Sequence, residues 1–189
     1  SCTIHLPDES SFECVVPLPG AHMISNALAG AAVGYTLHLT AEEIKAGIEG
    51  LPSIPGRNNI IKTDRLIILD DCYNANPVSM KAAIDVLDMA IGRKVAVLGN
   101  MGELGNNEKE LHREVGEYAA AHLVCGIGHL AKELVDGATN GSSTQGLWFE
   151  NKADFLDVMK DLIKDGDNVL VKASHGMDLT PIVEALKNI

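Results

Sequence analysis

Basic residues are in short supply. Only 15 Lys and Arg stand against 26 Asp and Glu, a formal charge of −11 over 189 residues. Neutralising nucleic-acid phosphates requires a basic face, and a membrane-surface anchor requires a polybasic cluster, so both classes are disfavoured. Cysteine is also scarce. Cys2, Cys14, Cys72 and Cys125 include no CxxC pair, which argues against a disulfide framework and makes a reducing, cytoplasmic setting the simpler expectation. The seven His show neither HxxxH nor HxH spacing, so no dedicated zinc site is indicated. The longest apolar stretch, Ala27 to Val33, is too short to span a bilayer. A charged segment followed by an apolar run is missing from the start, so no signal peptide is expected. Three catalytic or phosphate signatures are missing as well: the GxxxxGK[ST] phosphate loop, the GxGxxG dinucleotide fingerprint and the GxSxG elbow.

What remains is an ordinary globular composition, 46% hydrophobic and 22% charged. At this length about two-thirds of the unfolded surface can be buried without a staple. The chain opens in mid-pattern with Ser-Cys-Thr-Ile-His-Leu, which suggests a fragment of a longer protein. Residues 2–6 and 12–18 read as the strands of a hairpin around Pro7-Asp8-Glu9-Ser10. Residues 21–37, rich in Ala, Leu and Met, read as a buried helix. Thr40 and Glu43 have capping-box spacing and start a second helix that ends at Gly50. Two prolines and a glycine in 51–57 break regular structure and mark the expected domain boundary.

Beyond it, short apolar runs at 66–70, 94–98, 123–127, 146–149 and 168–172 alternate with helical stretches near 78–90, 107–121, 129–137, 151–164 and 178–187. Strand then helix, five times over, predicts an α/β fold, a Rossmann-like, doubly wound, mostly parallel sheet. Ligands of such sheets bind beyond the carboxyl ends of the strands. Those ends carry Asp70 to Pro77, Gly99 to Gly105, Gly126 to His129 and Lys172 to Gly176.

Asp70-Asp71 can hold ribose hydroxyls or a cation, or can serve as a helix cap. Asn76 before Pro77 has the form of a helix start. Tyr73 stands out because the chain has only 3 Tyr, 3 Phe and 1 Trp; it can stack on a base or close a core edge. The glycine-rich loop with Asn100 and Glu103 suits a small polar substrate, or is simply a glycine-permitted turn. Lys172 and Ser174 suit a carboxylate or phosphate, although a strand-end Lys is more often solvated.

Five segments in order resemble motifs of the Mur ligase family. Pro19-Gly20-Ala21-His22-Met23-Ile24-Ser25-Asn26-Ala27-Leu28-Ala29 is similar to its G-x-H-N-x-x-N-A-L-A element. Pro55-Gly56-Arg57 is similar to P-G-R, and Asp70 to Met80 resembles a further signature. Gly99-Asn100-Met101-Gly102-Glu103-Leu104-Gly105 is similar to G-D-M-x-E-L-G, and Val171 to Met177 to V-K-G-S-R-x-M. Met23, Asn100 and Ala173 depart from the family's Asn, Asp and Gly.

The resemblance is to the branch that joins D-Ala-D-Ala to UDP-MurNAc-tripeptide in peptidoglycan synthesis. It implies an ATP-dependent amide ligase working through an acyl phosphate, with Mg²⁺ and phosphate-loop ligands upstream of Ser1. Residues 1–57 would be the end of a central ATP-binding domain and 58–189 a C-terminal ligase domain. The resemblance implies nucleotide contacts at Asn26, Arg57, Asp71 and Tyr73. Asn100, Glu103, Lys172 and Ser174 are candidates for the D-Ala-D-Ala side; no residue is assigned as nucleophile, base or metal ligand. The full-length enzyme is expected to be monomeric, and residues 1–50 to be prone to self-association. The competing readings are a non-catalytic nucleotide-binding module and a Rossmann-type oxidoreductase, the latter weakened by the missing fingerprint.

Overall fold

The computed structural model describes residues 1–189. The chain divides into two compact units, Ser1–Ser53 and Ile54–Ile189. Pro55, Gly56 and Arg57 therefore belong to the second unit.

The first unit contains β1 (Cys2–His5) and β2 (Ser11–Cys14), paired antiparallel, then α1 (His22–Thr36) and α2 (Ala41–Glu49). β2 is shorter than the run 12–18 suggests. Pairing stops at Cys14, and the Val15 N–H donates to Glu49 Oε1 at 3.0 Å instead. The Thr40 hydroxyl accepts from Glu43 N–H and the Glu43 carboxylate accepts from Thr40 N–H, the expected reciprocal cap. Helix α1 lies where its composition predicts, but it is not buried throughout. Ala27, Ala31 and Gly34 face the small core with Ile4, Ile44 and Ile48, whereas Ile24, Leu28, Val33 and Leu37 are exposed.

The second unit follows the strand–helix alternation. After β3 (Asn59–Lys62) come β4 (Ile67–Asp70), α3 (Pro77–Asp88), β5 (Lys94–Gly99) and α4 (Glu108–Tyr118). Then follow β6 (Leu123–Ile127), α5 (Ala131–Thr139), β7 (Gln145–Phe149), α6 (Lys152–Leu162), β8 (Asn168–Lys172) and α7 (Thr180–Lys187). The six strands lie in the order β3-β4-β8-β5-β6-β7; all neighbours are parallel except the β3-β4 pair. The edge strand β3 adds to the five strands expected.

Alternate residues of the central strands feed two cores. Ile68, Val95, Val97, Val169 and Val171 pack with Phe155 and Met159 of α6 and Ile182 and Leu186 of α7. Leu69, Ala96, Leu98 and Leu170 pack with Met80 and Ile84 of α3, Val115 of α4 and Leu134 of α5. Covering both faces with helices is why these strands read as unbroken apolar runs. Helices α4 and α5 meet backbone to backbone: a Cβ at Gly116 would lie 1.9 Å from the Leu134 carbonyl oxygen, and one at Gly137 would lie 2.3 Å from that of Arg113. No helix is long and apolar enough to cross a membrane.

Candidate functional site

The turn after β4 carries two carboxylates with different partners. Asp70, buried at the end of the strand, accepts the Gly56 N–H on Oδ2 at 2.7 Å and the Cys72 thiol on Oδ1 at 3.0 Å. Asp71 accepts the Asn58 N–H on Oδ1 at 2.8 Å, and its Oδ2 lies 2.5 Å from Lys172 Nζ. The two carboxylates thus hold the incoming segment 56–58 against the sheet. Gly56 is required there: its φ is +76°, its carbonyl accepts the Tyr73 N–H at 2.9 Å, and a Cβ would meet that of Tyr73 at 3.4 Å.

Neither Asp71 nor Lys172 is free. Lys172, 2% exposed, also donates to the Asn74 carbonyl at 2.9 Å, so its charge is spent inside the turn and it is not a solvated strand-end lysine. Asp71 remains 18% exposed. An ionised carboxylate offers about four lone-pair positions, so the two bonds leave room for a ribose hydroxyl. Asp71 is also not the helix cap, because Asn76 accepts from Ser79 N–H and Pro77 occupies the first turn of α3.

Arg57 places its guanidinium carbon 3.7 Å from the centre of the Tyr73 ring, and the His175 ring lies 5.3 Å from the same centre at 47°. One face of Tyr73 is thus already covered by a cation. Beside this stack a cleft of about 440 Å³ opens between β3, the end of β4 and α7, lined by Gly56, Asn59, Asp70, Tyr73, His175 and Thr180 among others. Burial first, and then the hydrogen bond to Asp70, push the Cys72 thiol up to about 12, so this cleft wall carries no ready nucleophile.

The loop after β5 forms a second cluster. Asn100 Oδ1 accepts the N–H groups of Leu130 and Ala131 at 3.1 and 3.0 Å, capping α5, and its carbonyl accepts the Ser174 N–H at 3.0 Å. Its amide nitrogen lies 3.3 Å from His129 Nδ1. Glu103 is exposed with φ +60°, a left-handed conformation uncommon for a residue with a side chain. Buried Ala173 fits because Gly99 beside it has no side chain; a Cβ on Gly99 would lie 2.7 Å from that of Ala173.

His112, fully buried on α4, anchors this loop. Its Nε2 accepts the Met101 N–H at 2.8 Å, which leaves the proton on Nδ1 to donate to the Glu108 carbonyl at 2.6 Å. Burial holds its pKa below the ordinary imidazole value. No motif marks His112 in the sequence; its only signal is a histidine on the apolar side of an otherwise charged helix.

The second unit therefore brings Arg57, Asp71, Tyr73 and Lys172 together, and sets Asn100 beside Ser174. Glu103 stands apart on the exposed loop. Asn26 belongs to the first unit, where it is exposed and donates to Met23 Sδ at 3.4 Å. No three His, Cys, Asp or Glu residues converge to hold a metal ion.

The family model for the Mur ligase, glutamate ligase domain matches residues 56–175. The chain belongs to the Mur ligase family. The match covers β3 to β8 and includes Arg57, Asp71, Tyr73, Asn100, Glu103, Lys172 and Ser174. UDP-N-acetylmuramoyl-tripeptide–D-alanyl-D-alanine ligase of Escherichia coli K12 is 37% identical over 180 residues, covering 94% of this chain and 39% of that ligase. Its Bacillus subtilis counterpart is 35% identical over 178 residues, 90% and 39% of the two chains. Among solved structures, MurF from Acinetobacter baumannii superimposes with a TM-score of 0.88 at 29% identity, over 99% of this chain and 42% of that one. MurF from Thermotoga maritima in complex with ADP gives 0.81 at 27% identity, over 95% and 41%. This Mur ligase chain thus spans 39% of the length of these two curated relatives.

Proposed function

We propose that this chain is the C-terminal part of an ATP-dependent ligase that joins D-Ala-D-Ala to UDP-MurNAc-tripeptide in the cytoplasm. The observation that carries the reading is the linked group Arg57–Tyr73 and Asp71–Lys172 at the strand ends, in a chain 37% identical to a ligase of that name. The first unit, Ser1–Ser53, would close the ATP-binding domain and Ile54–Ile189 form the ligase domain, a boundary a few residues before the one expected at 57.

In this reading Arg57 leaves Tyr73 to meet the nucleotide's phosphates, and Asp71 accepts a ribose hydroxyl with Tyr73 beside it. Asn26 contributes from the first unit on the adenine side. Lys172, expected on the dipeptide side, instead acts through Asp71, because its enclosed ammonium is bonded to that carboxylate and to the Asn74 carbonyl. Asn100, Glu103 and Ser174 face the incoming dipeptide. A carboxylate is a poor electrophile, so it must be activated as an acyl phosphate before the dipeptide amine attacks. This chain supplies no nucleophile or base to that sequence. Its contribution is to orient the reactants, which can account for a large share of the rate.

The test uses the longer protein that carries this segment. Incubated with UDP-MurNAc-tripeptide, D-Ala-D-Ala, ATP and Mg²⁺, it should yield the pentapeptide product and ADP in equal amounts. ADP formation without amide product, or product with another amine in preference to D-Ala-D-Ala, would overturn the assignment.

A further inference from the structure

The hairpin of the first unit places two thiols face to face. Cys2 and Cys14 are direct partners in the antiparallel register, and their sulfurs lie 3.7 Å apart. Both are unbonded cysteines. We propose that Cys2 and Cys14 are a reversible redox-modification site, which closes to a cross-strand disulfide on exposure to a low-molecular-weight disulfide such as oxidised glutathione.

The backbone already satisfies the bridge. Directly opposed residues of an antiparallel pair have Cα atoms about 4.5–5.5 Å apart, inside the roughly 4.4–6.8 Å that disulfides span. Closing from 3.7 Å to a bond needs side-chain rotation, not strand movement. The other cysteines are placed differently: Cys72 donates to Asp70, and Cys125 is buried within β6.

Exposure assigns the order of events. Cys2 is partly exposed, whereas Cys14 is 2% exposed and packs with Ile4, Ile44 and Ile48. The Cys2 thiolate attacks one sulfur of the glutathione disulfide and expels one glutathione thiolate. The Cys14 thiolate then attacks Cys2 Sγ in the mixed disulfide and expels the second. Two protein thiols are oxidised, one external disulfide is reduced to two thiols, and the two protons end on the released glutathiones. Burial, with Cys2 close by, raises the Cys14 pKa, so the second step quickens as pH rises.

The experiment treats the 189-residue chain with excess oxidised glutathione at about pH 8, where some thiolate is present. Thiols titratable after denaturation should fall from four to two, the intact mass should drop by two hydrogens, and peptide mapping should join Cys2 to Cys14. Dithiothreitol should restore all four. Cys14→Ser should stop at a stable glutathione adduct on Cys2, and Cys2→Ser should form no bridge. Four free thiols after prolonged oxidation, a stable adduct on the unaltered chain, or a bridge to Cys72 or Cys125 would each overturn the proposal. Because the unaltered chain gives the deciding map, misfolding of a variant would not obscure the result.

Discussion

Lys172 Nζ and Asp71 Oδ2 lie 2.5 Å apart across 101 residues of sequence, with the lysine side chain almost wholly enclosed. Removing one partner of a buried pair leaves the other's charge uncompensated and costs about 3–5 kcal/mol. Asp71 is part-exposed, so Lys172→Met should cost about 3 kcal/mol, at the lower end of that range. Urea unfolding followed by circular dichroism measures it. A Lys172→Met/Asp71→Asn double variant should recover part of the loss, and strict additivity would show that the two side chains do not interact energetically.

Arg57 offers a contrasting case. It is exposed, and its contact with Tyr73 is worth about 0.5–1 kcal/mol at such a site. Arg57→Ala should therefore barely move the unfolding midpoint of this chain. In the longer enzyme it should raise the KM for ATP about tenfold or more, as expected when a charged hydrogen bond to a ligand is lost. Unchanged nucleotide kinetics would confine Arg57 to packing on Tyr73.

The buried His112 makes stability depend on pH. Its folded pKa lies below the ordinary value of 6.5 because burial penalises the imidazolium. Between the folded and unfolded values the unfolded chain binds the extra proton, so stability rises with pH across that interval. The contribution is complete above about pH 6.5 and is lost as pH falls towards the folded value, at no more than about 1.4 kcal/mol per pH unit. Protonation would also place a donor on Nε2 opposite the Met101 N–H. Unfolding curves at pH 7.5, 6.5 and 5.5 for the unaltered chain and His112→Gln test this; parallel slopes would exclude His112 as the source.

At the α4–α5 crossing, Gly116→Ala should destabilise the second unit by about 1–3 kcal/mol, the usual cost of forcing a methyl into a closed contact. The obstacle is the backbone carbonyl of Leu134, which cannot rotate aside as a side chain could. Gly30 of α1 has nothing within 4 Å of its Cβ position, and Gly30→Ala is the matched control, expected to be neutral or slightly stabilising.

The central strands were legible because helices cover both faces and leave continuous apolar runs. The caps at Thr40 and Asn76 were legible because they depend on local spacing. β3 was not. Asn59–Lys62 holds only two apolar residues, follows a proline-rich segment and gains its place by pairing with β4. Within the site, sequence order pointed to the right loops but not to who bonds whom. Lys172 stands as a lone cation in the sequence, and only the turn after β4 shows that Asp71 takes its charge. His112 lies outside every motif because its role is to hold a backbone N–H, which any residue except proline at position 101 would supply.

β8 is the last strand in the sequence and sits between β4 and β5 in the sheet. Until the chain has been made through residue 172, those two strands lack their shared neighbour. A growing polypeptide emerging from the ribosome can form the β5-β6-β7 half and the β3-β4 ribbon, but the two cannot join. Completion of the sheet therefore waits for its last strand and is governed by contacts far apart in sequence. Truncation from the C-terminal end should be far less forgiving than its small size suggests: loss of 22 residues, Asn168 to Ile189, removes β8, α7 and the Lys172 ammonium in one stroke.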